Sequence, residues 1–373
     1  FPIVLKVTKR LSEEELECEV LVGGIVSERK GINTPELKVP LPALTAKDKK
    51  DCQFVCQGKF ADFIALSFVQ RKEDVEELQE LMKSSLPEGA PMPKIVCKIE
   101  KQQAVDCIDE ILSLSDGIMV ARGDLGVECS LHKLPGYQKF LIYKANMARK
   151  LVITATQMLE SMIASPAPTR AEVSDVANAC YDGTDAVMLS GESAVGNYPV
   201  ETVSMMGEIC SEAEKSVGQL SIEMIDYRNS EQGRLKFRHA IAQSAVETAE
   251  DTGADAIIFF CEEISVAYDM AKLRPKIPIL VPTFDKTIAL GCQGLFGCHG
   301  IYLHQSIGEI KSADALLEVI QTQVLKYAGA SLKDGIVVIC AHRCPFPSLH
   351  NTLRVNKFSE LLDHFRQSKK PSL

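Results

Sequence analysis

A chain of 373 residues, 46% hydrophobic and 24% charged, is long enough for two domains and has the composition of an ordinary globular protein. Its net charge of −9 excludes the basic face that non-specific nucleic-acid binding needs. No apolar run approaches the roughly 20 residues that span a bilayer, so neither nucleic acid nor membrane is an expected partner. The 13 cysteines are odd in number and mostly sit singly in apolar stretches, which fits buried thiols in a reducing compartment better than a disulfide framework. Phe1 falls inside a strand-like stretch, so more chain is expected upstream of it.

In chain order, residues 1–31 alternate with period 2, in Val4-Leu5-Lys6-Val7 and again in Glu17-Cys18-Glu19-Val20-Leu21-Val22. This predicts a small antiparallel β unit with Gly23-Gly24 as its turn. From about 36 to 215 the pattern becomes strand, helix, strand, helix. Strands are expected at 62–67, 94–100, 117–122, 151–156 and 185–190, and amphipathic helices at 73–82 and 104–114. Such alternation implies parallel strands joined by helical crossovers. Five strands fit either an open doubly wound sheet or part of an eight-stranded barrel, and periodicity does not choose. A helix over 199–215 and a polar connection at 226–232 lead to a second α/β unit. Its strands are expected at 255–260, 278–283, 300–304, 335–340 and 353–355.

Chemistry gathers where the first set of strands ends. The apolar run Ile118–Ala121 stops at Arg122-Gly123-Asp124, where Gly123 permits a turn and Leu125-Gly126-Val127 starts a short helix. Lys98 and Glu100 share one face of their strand, costly for a Lys and a Glu on an inner face unless they are paired or used. Glu100 and Asp124, from consecutive strands, can converge as two oxygen ligands for Mg²⁺ with several positions left open. Lys98 would add positive charge where a transferring phosphoryl group needs it. In the next strand Thr154 and Thr156 are expected on the face of Lys98. The fifth ends in Ser190-Gly191-Glu192-Ser193, and Thr169 is a plausible cap for the helix after Pro166-Ala167-Pro168. Successive strands with polar or Gly-rich ends are the pattern of an active site on the carboxyl face of a sheet.

These residues resemble one family, pyruvate kinase. The resemblance is carried by Lys98-Ile99-Glu100, Ile118 to Gly126, Ala155-Thr156-Gln157-Met158-Leu159-Glu160-Ser161-Met162, Pro168-Thr169-Arg170-Ala171-Glu172 with Ser174 to Ala179, and Met188-Leu189-Ser190-Gly191-Glu192. It implies an α/β chain with the last five strands of a (β/α)₈ TIM barrel. Residues 1–31 would be the end of a β lid domain, 32–215 the partial catalytic barrel and 216–373 a C-terminal α/β regulatory domain. The implied reaction is phosphoryl transfer from phosphoenolpyruvate to ADP, giving pyruvate and ATP, the last step of glycolysis. By motif, Glu100 and Asp124 would hold Mg²⁺ or Mn²⁺, and Lys98 would stabilise the transition state. Substrate would meet Ala121, Arg122, Gly123, Asp124 and Thr156, and Ser190 and Glu192 would belong to a proton-delivering water relay. Arg29-Lys30-Gly31-Ile32-Asn33 resembles the nucleotide-contacting segment, which assigns Lys30 and Asn33 to ADP. The resemblance further implies a cytoplasmic homotetramer that uses K⁺, whose ligands belong to family segments not found in this sequence.

Two departures stand out. The family's first three barrel strands are not matched in this sequence. The effector loop reads Cys261-Glu262-Glu263-Ile264-Ser265, with no Arg and no Gly, and Pro345-Phe346-Pro347 replaces a glycine-bearing loop near Arg343. Two carboxylates repel a phosphate, so insensitivity to fructose bisphosphate is expected. Rival readings are a metal-dependent aldolase acting on a pyruvate enolate and a non-catalytic paralogue that assembles with longer subunits. Cys340, Cys344 and His350 have atypical spacing for zinc and read as a loop with a buried Cys340, while Cys52 and Cys56 read as core.

Overall fold

The computed structural model describes residues 3–26, 28, 31, 32, 34, 42–217, 233–261, 263–342, 344, 346, 349 and 351–361. The chain forms two compact units, residues 1–38 and 39–373. In the first, β1 (Val4–Arg10) pairs antiparallel with β2 (Leu16–Val22). Lys6 stands opposite Glu19 and Lys9 opposite Glu17, so the register sets opposite charges across from each other. The turn lies at residues 11–15, not at Gly23-Gly24, which follow β2. Ser12 closes it: its hydroxyl accepts from the Glu14 N–H, and the Leu11 and Ser12 amides both donate to the Glu15 carbonyl. A serine-led acidic turn thus does what the glycine pair was expected to do.

The second unit opens with α1 (Ala46–Gly58), whose Cys52 and Cys56 are buried as expected for core. A five-stranded parallel sheet follows, in the order β3 (Phe63–Leu66), β4 (Lys94–Ile99), β5 (Gly117–Ala121), β6 (Leu151–Ala155), β7 (Ala186–Met188). The sheet is open. Its crossovers run through α2 (Lys72–Ser85), the pair α3 (Gln102–Asp106) and α4 (Ile108–Leu114), α5 (Arg122–Glu128) with α6 (Leu134–Met147), and α7 (Arg170–Asp182). The single helix expected over 104–114 is broken at Cys107, where the thiol donates to the Gln103 and Gln70 carbonyls. After β7 come the short α8 (Gly191–Ala194) and the long α9 (Pro199–Val217).

Period-2 alternation sorts the sheet into two faces. Ile95, Cys97, Ile99, Ile118, Val120 and Val152 pack with the crossover helices in one core. Val96, Met119, Leu151 and Ala155 belong to another core, shared with the C-terminal part of the chain. Lys98 is in register with Met119, and Met119 with Ile153, which fixes the face that Lys98 shares.

The second sheet has the order β10-β9-β8-β11-β12, built from β8 (Ala256–Cys261), β9 (Ile279–Thr283), β10 (Cys298–Tyr302), β11 (Ile336–His342) and β12 (Thr352–Lys357). All its pairings are parallel except β11 with β12. It is wrapped by α10 (Gly233–Thr252), α11 (Ile264–Lys272), α12 (Lys286–Cys292) and α13 (Ala313–Ala328). The connection expected at 226–232 lies outside the described residues. Cys298 opens β10 and Cys340 is buried in β11, both ordinary core thiols.

The two sheets are joined by apolar and ionic contacts. Ala267, Met270 and Cys292 pack in one core with Met119, Leu151 and Ala155. Asp185, just before β7, is fully buried and receives both Lys272 and Arg274, the latter at 3.2 Å. Arg274 also donates to the Thr184 carbonyl at 2.8 Å, and Arg149 pairs with the buried Asp269 at 3.2 Å.

Candidate active site

The polar groups singled out in the sequence collect along the carboxyl edge of the first sheet. Lys98 Nζ lies 2.5 Å from Glu100 Oε1 and donates to Ser67 Oγ at 3.2 Å. Glu100 is 1% exposed, and its Oε2 accepts from the Phe68 N–H at 2.7 Å. Its Oε1 is the oxygen that the Lys98 ammonium pairs with, and among the described residues it takes no further hydrogen bond. Ser67 and Phe68, just after β3, are therefore part of this cluster, although no motif marks them. The signal is in the sequence: β3, like the other strands of the sheet, runs from apolar residues into a polar one, here Ser67. Phe68 adopts a left-handed backbone, φ 56°, which aims its N–H at the carboxylate.

On the next strand Ala121 is buried at the β5 terminus, and α5 begins immediately at Arg122. Asp124 sits exposed in the first turn of α5, where a carboxylate is favoured by the free N–H groups. Arg122, expected among the substrate-binding residues, has its side chain engaged inside the protein. Its guanidinium is turned inward, donating to the Thr156 carbonyl at 2.7 Å, to Gln138 Oε1 at 3.2 Å and to Asp175 Oδ1 at 2.7 Å. Only the backbone of Arg122 remains at the sheet edge. Asp175 is thus a second residue that the motif contained without its partner being legible.

Thr156 and Gln157 both have positive φ, 70° and 55°. This bend lets Thr156 Oγ1 accept the Gly123 N–H at 2.6 Å, and it explains a glycine there: a Cβ would stand 3.3 Å from that hydroxyl oxygen. Thr154 corrects another expectation. It is in register with Val120 on the helix-covered face, opposite to that of Lys98, and bonds Thr184 Oγ1 at 3.0 Å inside the protein.

Ser190 is half-buried at the end of β7. Glu192 is fully buried, its Oε2 accepting the Ser190 N–H at 2.8 Å and its Oε1 the Leu159 N–H at 3.2 Å. It braces the loops after β6 and β7 against each other, next to the Ser190 with which the relay motif groups it. Thr169 caps α7 as expected: its hydroxyl accepts the Glu172 N–H, and Glu172 reaches back to the Thr169 N–H at 2.8 Å and to Ser161 N–H at 2.7 Å. Burial works to raise the Glu172 pKa, but the hydrogen bonds from Ser161 and Thr169 outweigh it and hold the carboxyl below its usual range.

A divalent ion fits this donor set. The Glu100 carboxylate and the exposed Asp124 carboxylate are hard oxygen ligands that follow the ends of adjacent strands. Among the described residues no cluster of three or more His, Cys, Asp or Glu side chains is gathered, so an ion here would keep most positions for water or substrate oxygens. Cavities of about 630 and 520 Å³ lie elsewhere, the first near Tyr137 and Phe140 and the second near Phe296 and Arg274. The candidate groups line a sheet edge instead. Lys30 and Asn33, and in the effector loops Glu262, Arg343, Pro345 and Pro347, lie outside the described residues.

Residues 2–203 match the family model "Pyruvate kinase, barrel domain", and residues 239–356 match "Pyruvate kinase, alpha/beta domain". A pyruvate kinase of Clostridium perfringens is 38% identical over 94% of this chain and 72% of its own length. One from Clostridium acetobutylicum is 40% identical over 87% of this chain and 66% of its length. One from Geobacillus stearothermophilus is 40% identical over 93% of this chain and 57% of its length. The chain therefore spans between about half and three quarters of these relatives. Among the described residues no helix is long and apolar enough to cross a membrane.

Proposed function

Because the chain belongs to the pyruvate kinase family, a family of metal-dependent phosphotransferases, we propose that its protein transfers the phosphoryl group of phosphoenolpyruvate to ADP, releasing pyruvate and ATP. The observation that carries this reading is the Lys98–Glu100 ion pair at the end of β4, with Asp124 following the end of the adjacent strand β5. Glu100 and Asp124 would hold Mg²⁺, which when bound supplies Lewis-acid charge to the phosphoryl and enolate oxygens.

Each residue then has a role its surroundings support. Lys98, held by Ser67 and Glu100, neutralises charge that grows on the transferring phosphoryl group and on the enolate. Asp124 would offer a backbone donor to the substrate carboxylate, and the Gly123 N–H, held here by Thr156 Oγ1, would join it by exchanging that hydroxyl for the substrate. Ser190 would belong to the relay that delivers a proton to the enolate carbon, and Glu192, which accepts the Ser190 N–H, would position it. Lys30 and Asn33 contact the nucleotide. K⁺ dependence, a homotetrameric assembly and a cytoplasmic location belong to the same reading.

The test is ADP-dependent pyruvate formation by the full-length protein over a Mg²⁺ titration, with Asp124→Asn alongside. Formation of pyruvate with stoichiometric ATP, and a rightward shift of the Mg²⁺ curve in the variant, are expected. Pyruvate release without ADP would favour the aldolase-like reading. No turnover by the full-length protein would leave the paralogue reading.

A further inference from the structure

Cys180 and Cys210 face each other across the contact between α7 and α9. Their sulfur atoms are 3.7 Å apart, and the Cys180 thiol donates to Cys210 Sγ. The helices are clamped beside them by Val176, Ala179, Met206 and Ile209, so the two sulfurs are held in register by a rigid apolar seam. Both cysteines are half-buried, leaving an approach from solvent. A disulfide needs sulfurs about 2.05 Å apart, a closure within reach of side-chain rotation on helices already in contact.

We infer that Cys180 and Cys210 form a reversible disulfide, a modification site driven by a small-molecule disulfide such as oxidised glutathione. The pair is suited to stepwise exchange. The hydrogen bond from Cys180 lowers the Cys210 thiol below its ordinary range, while the same bond raises Cys180. Cys210 thiolate attacks one sulfur of the oxidant, forming a mixed disulfide and expelling a thiolate. Cys180 then gives up its proton to solvent and attacks Cys210 Sγ, expelling the second thiolate. The protein loses two electrons, the oxidant's S–S bond gains them, and two thiols of the oxidant are released. The cross-link would tie α7, which carries Asp175 against Arg122, to α9, which follows the Ser190–Glu192 turn.

Cys52 and Cys56 provide an internal comparison. Their sulfurs are 4.0 Å apart, yet both are buried on one helix, and Cys56 is fully enclosed. The full chain is equilibrated in glutathione buffers of graded oxidation, alkylated, and digested without reduction for peptide mapping. The expected result is a Cys180–Cys210 linked peptide that disappears on reduction, with Cys52 and Cys56 unlinked. The melting temperature should rise by a few degrees on oxidation of the wild type, and not with Cys180→Ser or Cys210→Ala. Separate glutathione adducts on the two cysteines, or two freely alkylated thiols in excess oxidised glutathione, would overturn the assignment. The mapping needs no turnover, so its outcome is independent of the proposed reaction.

Discussion

Arg122 Nη2 lies 2.7 Å from the carbonyl oxygen of Thr156, the first of two successive residues with left-handed backbone. Non-glycine residues in that region cost about 1–3 kcal/mol each, and Thr is β-branched, so the turn does not hold itself. The buried guanidinium offsets the cost with charge-assisted bonds, and Asp175 and Gln138 fix the guanidinium in turn. The strained turn is what presents Thr156 Oγ1 to Gly123.

Arg122→Lys should therefore damage the site without touching substrate. A lysine keeps the charge but cannot span the Thr156 carbonyl, Gln138 and Asp175 at once. A loss of roughly 2–4 kcal/mol of stability is expected from the groups left unsatisfied, together with a fall in kcat/KM of at least tenfold. Denaturant melts and steady-state kinetics on the same preparation check both; unchanged values in each would remove Arg122 as the support of this turn.

Lys98→Met separates transition-state from ground-state roles. If the ammonium acts on developing charge, kcat should drop by several orders of magnitude while the KM for phosphoenolpyruvate stays within about tenfold. A pure KM effect would count against the role assigned to it.

Glu172 makes the loop after β6 and the start of α7 sensitive to acid. Its folded pKa is depressed, so its stabilising bonds are fully present above the unfolded carboxylate pKa and are lost as pH falls through the folded value. Glu172→Gln should cost about 1 kcal/mol at pH 7, a typical capping-box loss. The gap to wild type should close below about pH 4. Stability curves at pH 7 and in that acid range decide it; a gap that persists in acid would show that charge plays no part.

Lys272 titrates in the opposite range. Burial lowers its pKa to about 8, with Asp185 partly restoring the charged form. Between that value and the ordinary lysine range the unfolded chain binds more protons than the folded one. Stability from this group therefore rises with pH across that window, by at most about 1.4 kcal/mol per unit. Lys272→Met should flatten the rise, read as the difference between wild-type and variant urea midpoints from pH 7.5 to 10. Parallel curves would mean that Lys272 keeps an ordinary pKa inside the fold.

Much of the first sheet could be read from period and punctuation. The five strands and the cluster at Lys98, Glu100 and Asp124 follow from apolar runs that end in charge, because burial makes such endings conspicuous. What was not legible depends on register between distant segments. Alternation within β6 places Thr154 and Thr156 on one face, but only pairing with β5 says which face that is. That the Arg122 side chain is held by Asp175, 53 positions later, is likewise invisible in the motif. The amides of Leu159 and Ser190 that Glu192 accepts are not visible in its motif either. The break at Cys107 and the turn at Ser12 are side-chain-to-backbone bonds that compete with regular structure, which period counting does not see.

The fully buried Asp185 draws its two cations from beyond the 217–233 connection, Lys272 and Arg274. A cut in that connection would strand a carboxylate on one fragment and two cations on the other, each in a site shaped to exclude water. The boundary that composition draws there is therefore not a boundary of autonomy. Residues 39–217, produced by themselves, would be expected to aggregate or stay molten, and the longer unit to melt in a single transition.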